Sequence, residues 1–376
     1  MEFVASLIRK QYTIDGQQYR STKNKIGEGA FAVVNHVQHV KSKAEYAVKR
    51  IVCSSMEQIA EANRELQVLE RLQKHVNILP FLGKGLRKNK RGQDEILLLM
   101  PFYRLGTVGS IVDRGGGYPS CAFSDPTLLK RMFLDILEGL IHMHIDRGLR
   151  HNDIKASNFL LTDDMHIVIS DFGSVSKETT VVRSRKEALA VQDEAASKTT
   201  ASIRAPELWD CPSSFTITGK ADVWSFGCVM YLMLFSRTPF ESPQEGLSHL
   251  AIMSARYAIP QSVPAAIGEF VPLLSSCLRT NADERAHMIE LRALLTGGNL
   301  PSTPTIQDGV GVLSSKDALS DSCNFADFNT AFLPITTEEN NVSPFRSEIC
   351  ENKENTDDSD FGEFVAAGSD CVADSM

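Results

Sequence analysis

The stretch His151-Asn152-Asp153-Ile154-Lys155-Ala156-Ser157-Asn158 says more about the fold than any other part of this chain. Asp153 can orient the proton of an attacking hydroxyl, and Lys155 can neutralise a phosphoryl group in transfer. Asn158, five residues after the aspartate, can ligate Mg²⁺. His151 suits a buried structural role better than the role of a base. Taken alone, the Asp–Asn pair is equally compatible with an ordinary polar turn.

A second acidic residue follows the short apolar strand predicted over Ile167–Ser170. Asp171-Phe172-Gly173 begins thirteen residues after Asn158. Asp171 is therefore a candidate ligand for a metal ion that bridges two phosphates. The same three residue types recur at Asp360-Phe361-Gly362. No strand is predicted before that copy and no catalytic partners surround it, so it receives no catalytic role.

Upstream, a glycine-containing stretch lies between two predicted strands. Glycines let backbone amides approach phosphates without a side-chain clash, although an ordinary hairpin turn fits a lone glycine pair equally well. Ala32 stands where a third glycine is usual, and Phe31 at the tip can shield phosphates from water. The candidate nucleotide-binding residues here are Gly27, Glu28, Gly29, Ala30, Phe31, Ala32 and Val34.

Lys49 closes the stretch Tyr46-Ala47-Val48-Lys49 on a predicted strand, where it can neutralise nucleotide phosphates. An isolated lysine is more commonly a surface residue. The helix predicted over Met56–Gln73 supplies a partner, because its apolar positions place Glu65 on the inward face. An unpaired buried glutamate would be costly, so we expect Glu65 to pair with Lys49.

Three further residues are predicted to have scaffold roles. Glu207, in Ala205-Pro206-Glu207, is expected to form a buried ion pair with Arg285 that braces a substrate platform. Asp222 is expected to cap the backbone of the stretch that contains Asp153. Either motif alone is compatible with an ordinary helix start. It is the order and spacing of all the motifs that argue against chance.

The pattern along the chain changes three times. Residues 1–18 are a short lead-in, residues 19–105 read as strands with one helix, and residues 106–297 are mainly helical. Among the predicted helices of the third part are Pro126–Asp146, Ala221–Phe235 and Ile267–Leu278. Residues 298–376 are polar and acidic, and we predict a disordered tail because such a composition cannot bury enough apolar surface. The fold class is therefore α+β, with an antiparallel N-lobe sheet and a helical C-lobe.

Charge and composition limit the possible functions. The net charge is −8, of which residues 301–376 contribute −12 from 3 basic and 15 acidic side chains, so residues 1–300 carry +4. This balance speaks against nucleic-acid binding. The 8 cysteines are scattered, and no apolar run approaches the roughly 20 residues of a membrane span. We expect a cytoplasmic protein with reduced thiols and no transmembrane segment.

A basic stretch, Arg87–Gly92, lies between two predicted strands and is expected to form a hairpin tip. Two interpretations remain for its charge. A solvated turn is the favoured one, and contact with anionic lipid is the alternative.

With these motifs in place, residues 19–297 resemble a eukaryotic protein kinase catalytic domain. Finer similarity points to the Numb-associated kinase family, and within it to the myristoylated and palmitoylated serine/threonine kinase branch. The stretches that carry this likeness are Tyr46–Cys53, Leu98–Tyr103 and Ser184–Leu208. In that branch the activation segment contains a helix within the third stretch. The apolar positions Leu189, Val191 and Ala195 are compatible with one.

The resemblance implies a specific nucleotide site and a substrate class. Met100 would be the gatekeeper, while the Pro101 carbonyl and the Tyr103 amide would bind the adenine edge of ATP. Ala47 and Lys49 would line the same site, with Mg²⁺ held by Asn158 and Asp171. Thr200 corresponds to the threonine that packs against the catalytic residues in Ser/Thr-specific members. Protein serine and threonine hydroxyls are the implied substrates.

Three departures from the family pattern matter, one of which is that the acidic tail goes beyond the compact member of the branch. Asn152 stands where most kinases carry an arginine that binds an activation-segment phosphate, so we hypothesise that this chain does not need that phosphate. Glu2 rather than glycine follows Met1, so the acyl anchor of the branch is not expected.

The acidic tail has two interpretations, and the sequence leaves both open. Residues 324–328 (NFADF) and 360–364 (DFGEF) resemble acidic Phe motifs that clathrin-adaptor appendage domains bind. That likeness implies vesicle trafficking and peripheral association with Golgi or endosomal vesicles. A solubilising tail is the alternative. The competing functions for the whole chain are a pseudokinase scaffold, although all the expected ligand residues are present, and an adaptor that acts through its acidic tail. Oligomeric state is unknown from the sequence.

Overall fold

The computed structural model describes residues 10–28, 32–114, 123–242, 244–260, 263–298 and 311–312. Its N-terminal lobe contains a six-stranded sheet in the order β1-β2-β3-β4-β6-β5, in which all neighbours are antiparallel. The strands are β1 Gln11–Ile14, β2 Gln17–Glu28, β3 Ala32–His39, β4 Glu45–Cys53, β5 Gly83–Lys88 and β6 Asp94–Pro101. The predicted antiparallel N-lobe sheet is confirmed.

Helix α1, Met56–Leu72, crosses between β4 and β5. Its first turn is capped by the Ser55 side chain, which accepts a hydrogen bond from the Gln58 amide. The buried face carries Glu65 together with the apolar residues Ala62, Leu66, Leu69 and Leu72. This is the inward placement of Glu65 that the helical spacing predicts.

Strand β1 lies inside the segment that the sequence analysis treats as a lead-in. The turn Asp15-Gly16 has φ values of 44° and 72°, which suit a tight hairpin between β1 and β2. Tyr12 and Ile14 are buried, while the alternate residues of the strand are exposed. The Asp-Gly turn flanked by alternating residues is a hairpin signal that the sequence analysis missed, and the folded part begins before residue 19.

The sheet curls until its first and last strands lie side by side. The Asp15 amide donates to the Lys84 carbonyl at 3.2 Å, and the Lys84 amide donates to the Asp15 carboxylate at 3.2 Å. A cluster of side chains fills the interior of this curl and forms a small core of its own. Its buried members are Tyr12, Ile14, Tyr19, Val37, Val48, Leu97 and Leu99.

The C-terminal lobe is mainly helical, as predicted. Its helices are α2 Val108–Arg114, α3 Pro126–Ile141, α4 Arg185–Lys198, α5 Pro206–Trp209, α6 Lys220–Phe235, α7 His249–Met253, α8 Ala265–Gly268, α9 Val271–Cys277 and α10 Met288–Leu295. Its short strands are β7 Leu149–Arg150, β8 Phe159–Leu161, β9 Ile167–Ile169, β10 Ser176–Lys177, β11 Thr180–Val182, β12 Phe215–Ile217, β13 Glu241–Ser242, β14 Gly246–Leu247 and β15 Ala258–Ile259. Helix α6 is buried along nearly its whole length and forms the centre of the lobe.

Two predicted helices differ from those observed. The helix predicted over Pro126–Asp146 ends as an α-helix at Ile141 and continues as a π-helical turn over His142–Asp146. The helix predicted over Ile267–Leu278 is two helices, α8 and α9. Pro272 lies in the first turn of α9, where its missing amide hydrogen is harmless, whereas inside one continuous helix it would break a hydrogen bond.

Of the predicted tail from residue 298 onwards, only residue 298 and a strand, β16 Gly311–Val312, are described. The strand pairs in parallel with β15. Residues 324–328 and 360–364 lie outside the described residues. Within the described part of the chain, no helix has the length and apolar character needed to cross a membrane.

Candidate active site

The residues predicted to act on the substrate hydroxyl converge on Asp153, which follows strand β7. Asp153 Oδ1 accepts hydrogen bonds from the Thr200 hydroxyl at 2.7 Å and the Thr200 amide at 3.1 Å. Its Oδ2 lies 2.7 Å from Lys155 Nζ. The side-chain Nδ2 of Asn158 donates to the backbone carbonyl of Asp153 at 2.9 Å. The structure thus brings together the Asp153, Lys155, Asn158 and Thr200 side chains named from the sequence.

A buried aspartate on helix α6 fixes the backbone beneath this cluster. Asp222 Oδ2 accepts from the His151 amide at 2.6 Å and lies 2.9 Å from His144 Nε2, while Oδ1 accepts from the Asn152 amide at 2.8 Å. Burial alone would raise the pKa of Asp222. The hydrogen bond from His144 and the positive neighbours outweigh that effect and hold the pKa below its ordinary value. The predicted capping role of Asp222 is confirmed, and His144 is a partner that the sequence analysis missed.

His151 has the structural role that was predicted. It is fully buried. Its Nδ1 accepts from the Asp153 amide at 3.3 Å and its Nε2 lies 3.1 Å from the Ser170 carbonyl. Since a carbonyl can only accept, these partners assign the ring proton to Nε2. The ring packs against Phe172, so it links the stretch around Asp153 with the stretch after Asp171.

Lys49 lies between two carboxylates, which joins the sheet to helix α1 and to the C-terminal lobe. Its Nζ is 2.6 Å from Glu65 Oε1 and 2.9 Å from Asp171 Oδ1. Burial of the ammonium disfavours its charge, but the two carboxylates outweigh burial and raise the pKa of Lys49 above its ordinary value. The positive charge of Lys49 in turn lowers the pKa of Asp171, against the opposing effect of burial. Both groups are therefore ionised at neutral pH.

Asn152 makes contacts that no local pattern could predict. Its backbone φ of 67° is left-handed, a conformation that asparagine tolerates better than most residues. Its Nδ2 donates to the Ser174 carbonyl at 2.7 Å and to Ser176 Oγ at 2.9 Å. Its Oδ1 accepts from Arg150 Nε at 2.6 Å. The residue that replaces the usual arginine thus binds the start of the activation segment directly.

The activation segment from Asp171 to Glu207 is held by regular structure. Strand β10 pairs with β7, and β11 pairs with β12. Helix α4 lies within the predicted stretch and is capped by the Ser184 side chain. Its buried residues are Ala188 and Ala195, whereas Leu189 is 45% exposed. The helix is confirmed. Leu189 does not belong to its inward face, because the residues that pack inward are the two small alanines.

The predicted ion pair below the substrate platform is present. Arg285 donates to Glu207 through Nη1 at 2.7 Å and Nη2 at 2.6 Å, and it is 1% exposed. The guanidinium also lies 5.2 Å from the Trp224 ring centroid. This bidentate geometry joins helix α5, at the end of the activation segment, to the loop before α10.

The nucleotide side of the cleft is described in part. Ala47 on β4 pairs with Met100 on β6, Pro101 ends that strand, and Val34 on β3 pairs with Lys49. Burial raises the pKa of Tyr103 to about 12, so its phenol is neutral at physiological pH. Gly27 and Ala32 flank the predicted phosphate-binding loop. Gly29, Ala30 and Phe31 lie outside the described residues, as does the side chain of Glu28.

The residues present fit Mg²⁺ and ATP phosphates. Because Asn158 uses its amide nitrogen as a donor to Asp153, its side-chain oxygen is the atom suited to ligate a hard cation. Asp171 adds an ionised carboxylate, and Lys49 beside it supplies a fixed positive charge for phosphate oxygens. Such a donor set suits a metal ion that also binds phosphates, which is how Mg²⁺ is usually held.

A two-lobed fold with this arrangement of Lys49, Asp153, Asn158 and Asp171 defines a phosphotransferase of the kinase class. The comparisons with known proteins agree. A sequence profile of the protein kinase domain matches residues 20–293, and the chain belongs to this family.

Several relatives carry the name serine/threonine-protein kinase 16. The protein from Mus musculus is 36% identical over 276 residues, covering 73% of this chain and 88% of the relative. The Homo sapiens protein is 34% identical over the same shares. Serine/threonine-protein kinase ppk13 of Schizosaccharomyces pombe is 29% identical over 320 residues, covering 74% of this chain and 90% of the relative. The chain is accordingly a protein serine/threonine kinase.

Proposed function

We propose that this chain is an active kinase that transfers the γ-phosphate of Mg-ATP to protein Ser and Thr hydroxyls without needing a phosphate on its activation segment. The single observation that carries the proposal is the continuous set of contacts from Glu65 through Lys49 to Asp171, each within 2.9 Å. A pseudokinase scaffold would not need these three charges held together in one site.

The chain's own residues prepare the transfer in a stated way. Bound Mg-ATP would supply the phosphoryl group and the charge neutralisation of the metal. Asp153 is oriented by Thr200 on one oxygen and by Lys155 on the other, so its carboxylate can take a hydrogen bond from a substrate hydroxyl. Lys155, 3.0 Å from Thr200 Oγ1, balances the negative charge between Asp153 and the transferring group.

The activity can be tested with a control that the chain itself provides. Asp171→Ala should lower phosphate transfer to a generic protein substrate by on the order of 100-fold or more. Asp360→Ala changes the same triplet in the tail and should leave the rate unaltered. Background transfer by the wild type and by both variants would favour the scaffold function instead.

Independence from activation-segment phosphate is the second part of the proposal. Asn152 supports it, since its amide already bonds to Ser174 and Ser176 in the place of an arginine–phosphate contact. Protein treated with phosphatase should phosphorylate a substrate at the rate of untreated protein. The idea fails if phosphatase abolishes activity and rephosphorylation of the activation segment restores it.

We also place the chain in the Numb-associated family, near its myristoylated and palmitoylated branch, with a role in vesicle trafficking. Sequence likeness supports this, together with helix α4 in the activation segment.

Phe325, Phe328, Phe361 and Phe364 would bind clathrin-adaptor appendage domains. An appendage domain should retain the wild-type full chain in a pull-down but not the double variant Phe361→Ala with Phe364→Ala. Phe345→Ala is the matched control and should be retained. Microscopy of the tagged chain would test peripheral location on Golgi or endosomal vesicles.

A further inference from the structure

The loop that follows Thr200 buries a positive charge. After the 3₁₀ turn Ala201–Ile203 comes Arg204, which is 7% exposed. Its Nη2 donates to the Thr199 carbonyl at 2.8 Å, and its guanidinium lies 4.3 Å from the Trp209 ring centroid. Its Nε is buried without a hydrogen-bond partner.

Arg204 has no carboxylate partner within the described part of the chain. The buried Arg150 has none either, but it donates to Asn152 Oδ1 and to two backbone carbonyls. Two other arginines are paired with carboxylates. Arg285 is bound to Glu207, and Arg50 lies 2.6 Å from Glu95. Among the described residues, no carboxylate oxygen comes within 4 Å of Arg204. An arginine keeps its charge even when burial lowers its pKa, as it does for Arg204. A buried charge without a counter-ion is costly. An anion that binds to Arg204 would offset this cost, which favours its binding.

The position of Arg204 relates this charge to the chemistry. The neighbouring Thr200 binds Asp153 through both its amide and its hydroxyl. Arg204 donates to the carbonyl of Thr199. Its guanidinium therefore binds the residue directly before Thr200, which contacts the catalytic aspartate. Consecutive Cα atoms are about 3.8 Å apart, so the residue that follows a substrate hydroxyl bound at Asp153 would lie close to the loop that contains Thr200 and Arg204.

We infer that Arg204 is a specificity-determining residue that binds the carboxylate of an aspartate or glutamate directly following the substrate Ser or Thr. The inference rests on the proposed kinase activity and names its substrate class. Trp209 holds the guanidinium plane and packs against His249 of helix α7, with ring centroids 4.9 Å apart. The platform thereby presents a fixed planar donor, which matches carboxylate geometry.

The chain carries a substrate of this class in its own sequence. Residues 301–376 contain 16 Ser and Thr residues, and an acidic residue directly follows 6 of them. These dipeptides are Ser320-Asp321, Thr337-Glu338, Ser347-Glu348, Thr356-Asp357, Ser359-Asp360 and Ser369-Asp370. Tail serines and threonines before acids are therefore expected autophosphorylation sites.

The inference can be tested on the wild-type protein with two peptides that differ only in a carboxylate or a carboxamide group. Both contain one serine, followed by aspartate in the first and by asparagine in the second. The Asp peptide should show a kcat/KM roughly tenfold higher or more, the range of a hydrogen bond to a charged group. Equal kcat/KM values would overturn the inference while leaving the kinase activity intact. No transfer to either peptide would instead count against the proposed function.

Variants separate recognition from a structural role of Arg204. Arg204→Gln should bring the Asp/Asn ratio of kcat/KM close to one, and Arg204→Lys should keep a smaller preference because it retains the charge but not the planar fork. A purely structural arginine would lower both rates in proportion and leave the ratio unchanged. Arg20→Gln, at an exposed position of β2, is the matched control and should keep the wild-type ratio.

Mass mapping of the autophosphorylated full chain provides a second readout, which requires no substitution in the two lobes. Phosphate should accumulate at the six acid-followed positions more than at the other ten tail hydroxyls. Substituting Asp357, Asp360 and Asp370 by asparagine should lower phosphate at Thr356, Ser359 and Ser369. An unchanged phosphate distribution would contradict the role given to Arg204.

Discussion

Asn152 connects two parts of the site through a single side chain. It accepts from Arg150 on β7 and donates to Ser174 and Ser176 at the start of the activation segment. On the segment side, its partners are a carbonyl and a hydroxyl, so uncharged groups make this connection. The cost is a left-handed backbone, with φ of 67°, that few side chains tolerate.

Asn152→Ala is expected to loosen this connection. The substitution removes three hydrogen bonds and places alanine in a left-handed conformation, which costs roughly 1–2 kcal/mol. We expect kcat to fall about tenfold with KM for ATP little changed, measured by steady-state kinetics. Asn89→Ala, at the hairpin tip between β5 and β6, should leave kcat at the wild-type value. A wild-type kcat for Asn152→Ala would show that the segment is held by β10 and α4 alone.

Asp222 gives the site a defined pH dependence. Its pKa lies below the ordinary value of 3.8, so the ionised form is favoured by folding. The stabilisation is present above 3.8 and is lost as the pH falls through the lower folded-state pKa. Asp222→Asn should cost about 3 kcal/mol of unfolding free energy at pH 7, since it weakens hydrogen bonds to a buried charge. Urea titrations should show this difference shrinking below pH 3.8, and a difference constant with pH would contradict the role of the charge.

Local sequence could identify which residues act but not how they are connected. Asp153, Asp171 and Lys49 were predicted because their chemistry depends on spacing within short motifs. The bond from Asn152 to Ser176 joins residues 24 positions apart, and the bond from His144 to Asp222 spans 78. Such contacts depend on how strands and helices pack, so their partners could not be predicted from the motifs. Arg204 was missed for the same reason, because its missing counter-ion is visible only in three dimensions.

At the scale of elements, strand β1 explains two glycines in β5. A Cβ atom on Gly83 would lie 2.4 Å from Asp15 Oδ2, and one on Gly85 would lie 2.5 Å from the Thr13 carbonyl. Neither glycine has a positive φ, so the requirement is space rather than backbone conformation. The hairpin at the N-terminus and the glycines about seventy residues later are thus one structural unit, which local periodicity does not reveal.

Gly85→Ala is expected to push β1 away from β5. The new methyl group meets backbone rather than a movable side chain, and overpacking of this kind costs about 1–3 kcal/mol. Chemical denaturation should show this loss of unfolding free energy. Gly268→Ala is the matched control, because its added Cβ would meet only Val263 at an ordinary 3.9 Å. Equal stability of the two variants would mean that β1 is not packed against β5 in solution.

At the scale of the molecule, the two lobes are joined behind the cleft as well as by the chain after β6. Asn77, in the loop after α1, is 4% exposed, and its side chain donates to the Ile167 carbonyl at 2.9 Å. The backbone adds two bonds, from Leu79 to the Ile169 carbonyl at 2.9 Å and from Ile169 to the Asn77 carbonyl at 2.8 Å. The N-lobe loop therefore extends strand β9 of the C-lobe, and helix α1 is anchored next to the site.

Asn77→Ala should uncouple the lobes. The variant removes the side-chain donor from a buried carbonyl, which costs about 1–3 kcal/mol, and the position of Glu65 on α1 depends on this anchor. We expect calorimetry to resolve the single unfolding transition of the wild type into two, with the N-lobe melting first. Transfer activity should fall as the contact between Lys49 and Glu65 weakens. Gln18→Ala, which removes only an exposed bond to Thr13, should keep one transition. One unshifted transition for Asn77→Ala would show instead that the two backbone bonds and the packing of α3 suffice to hold the lobes together.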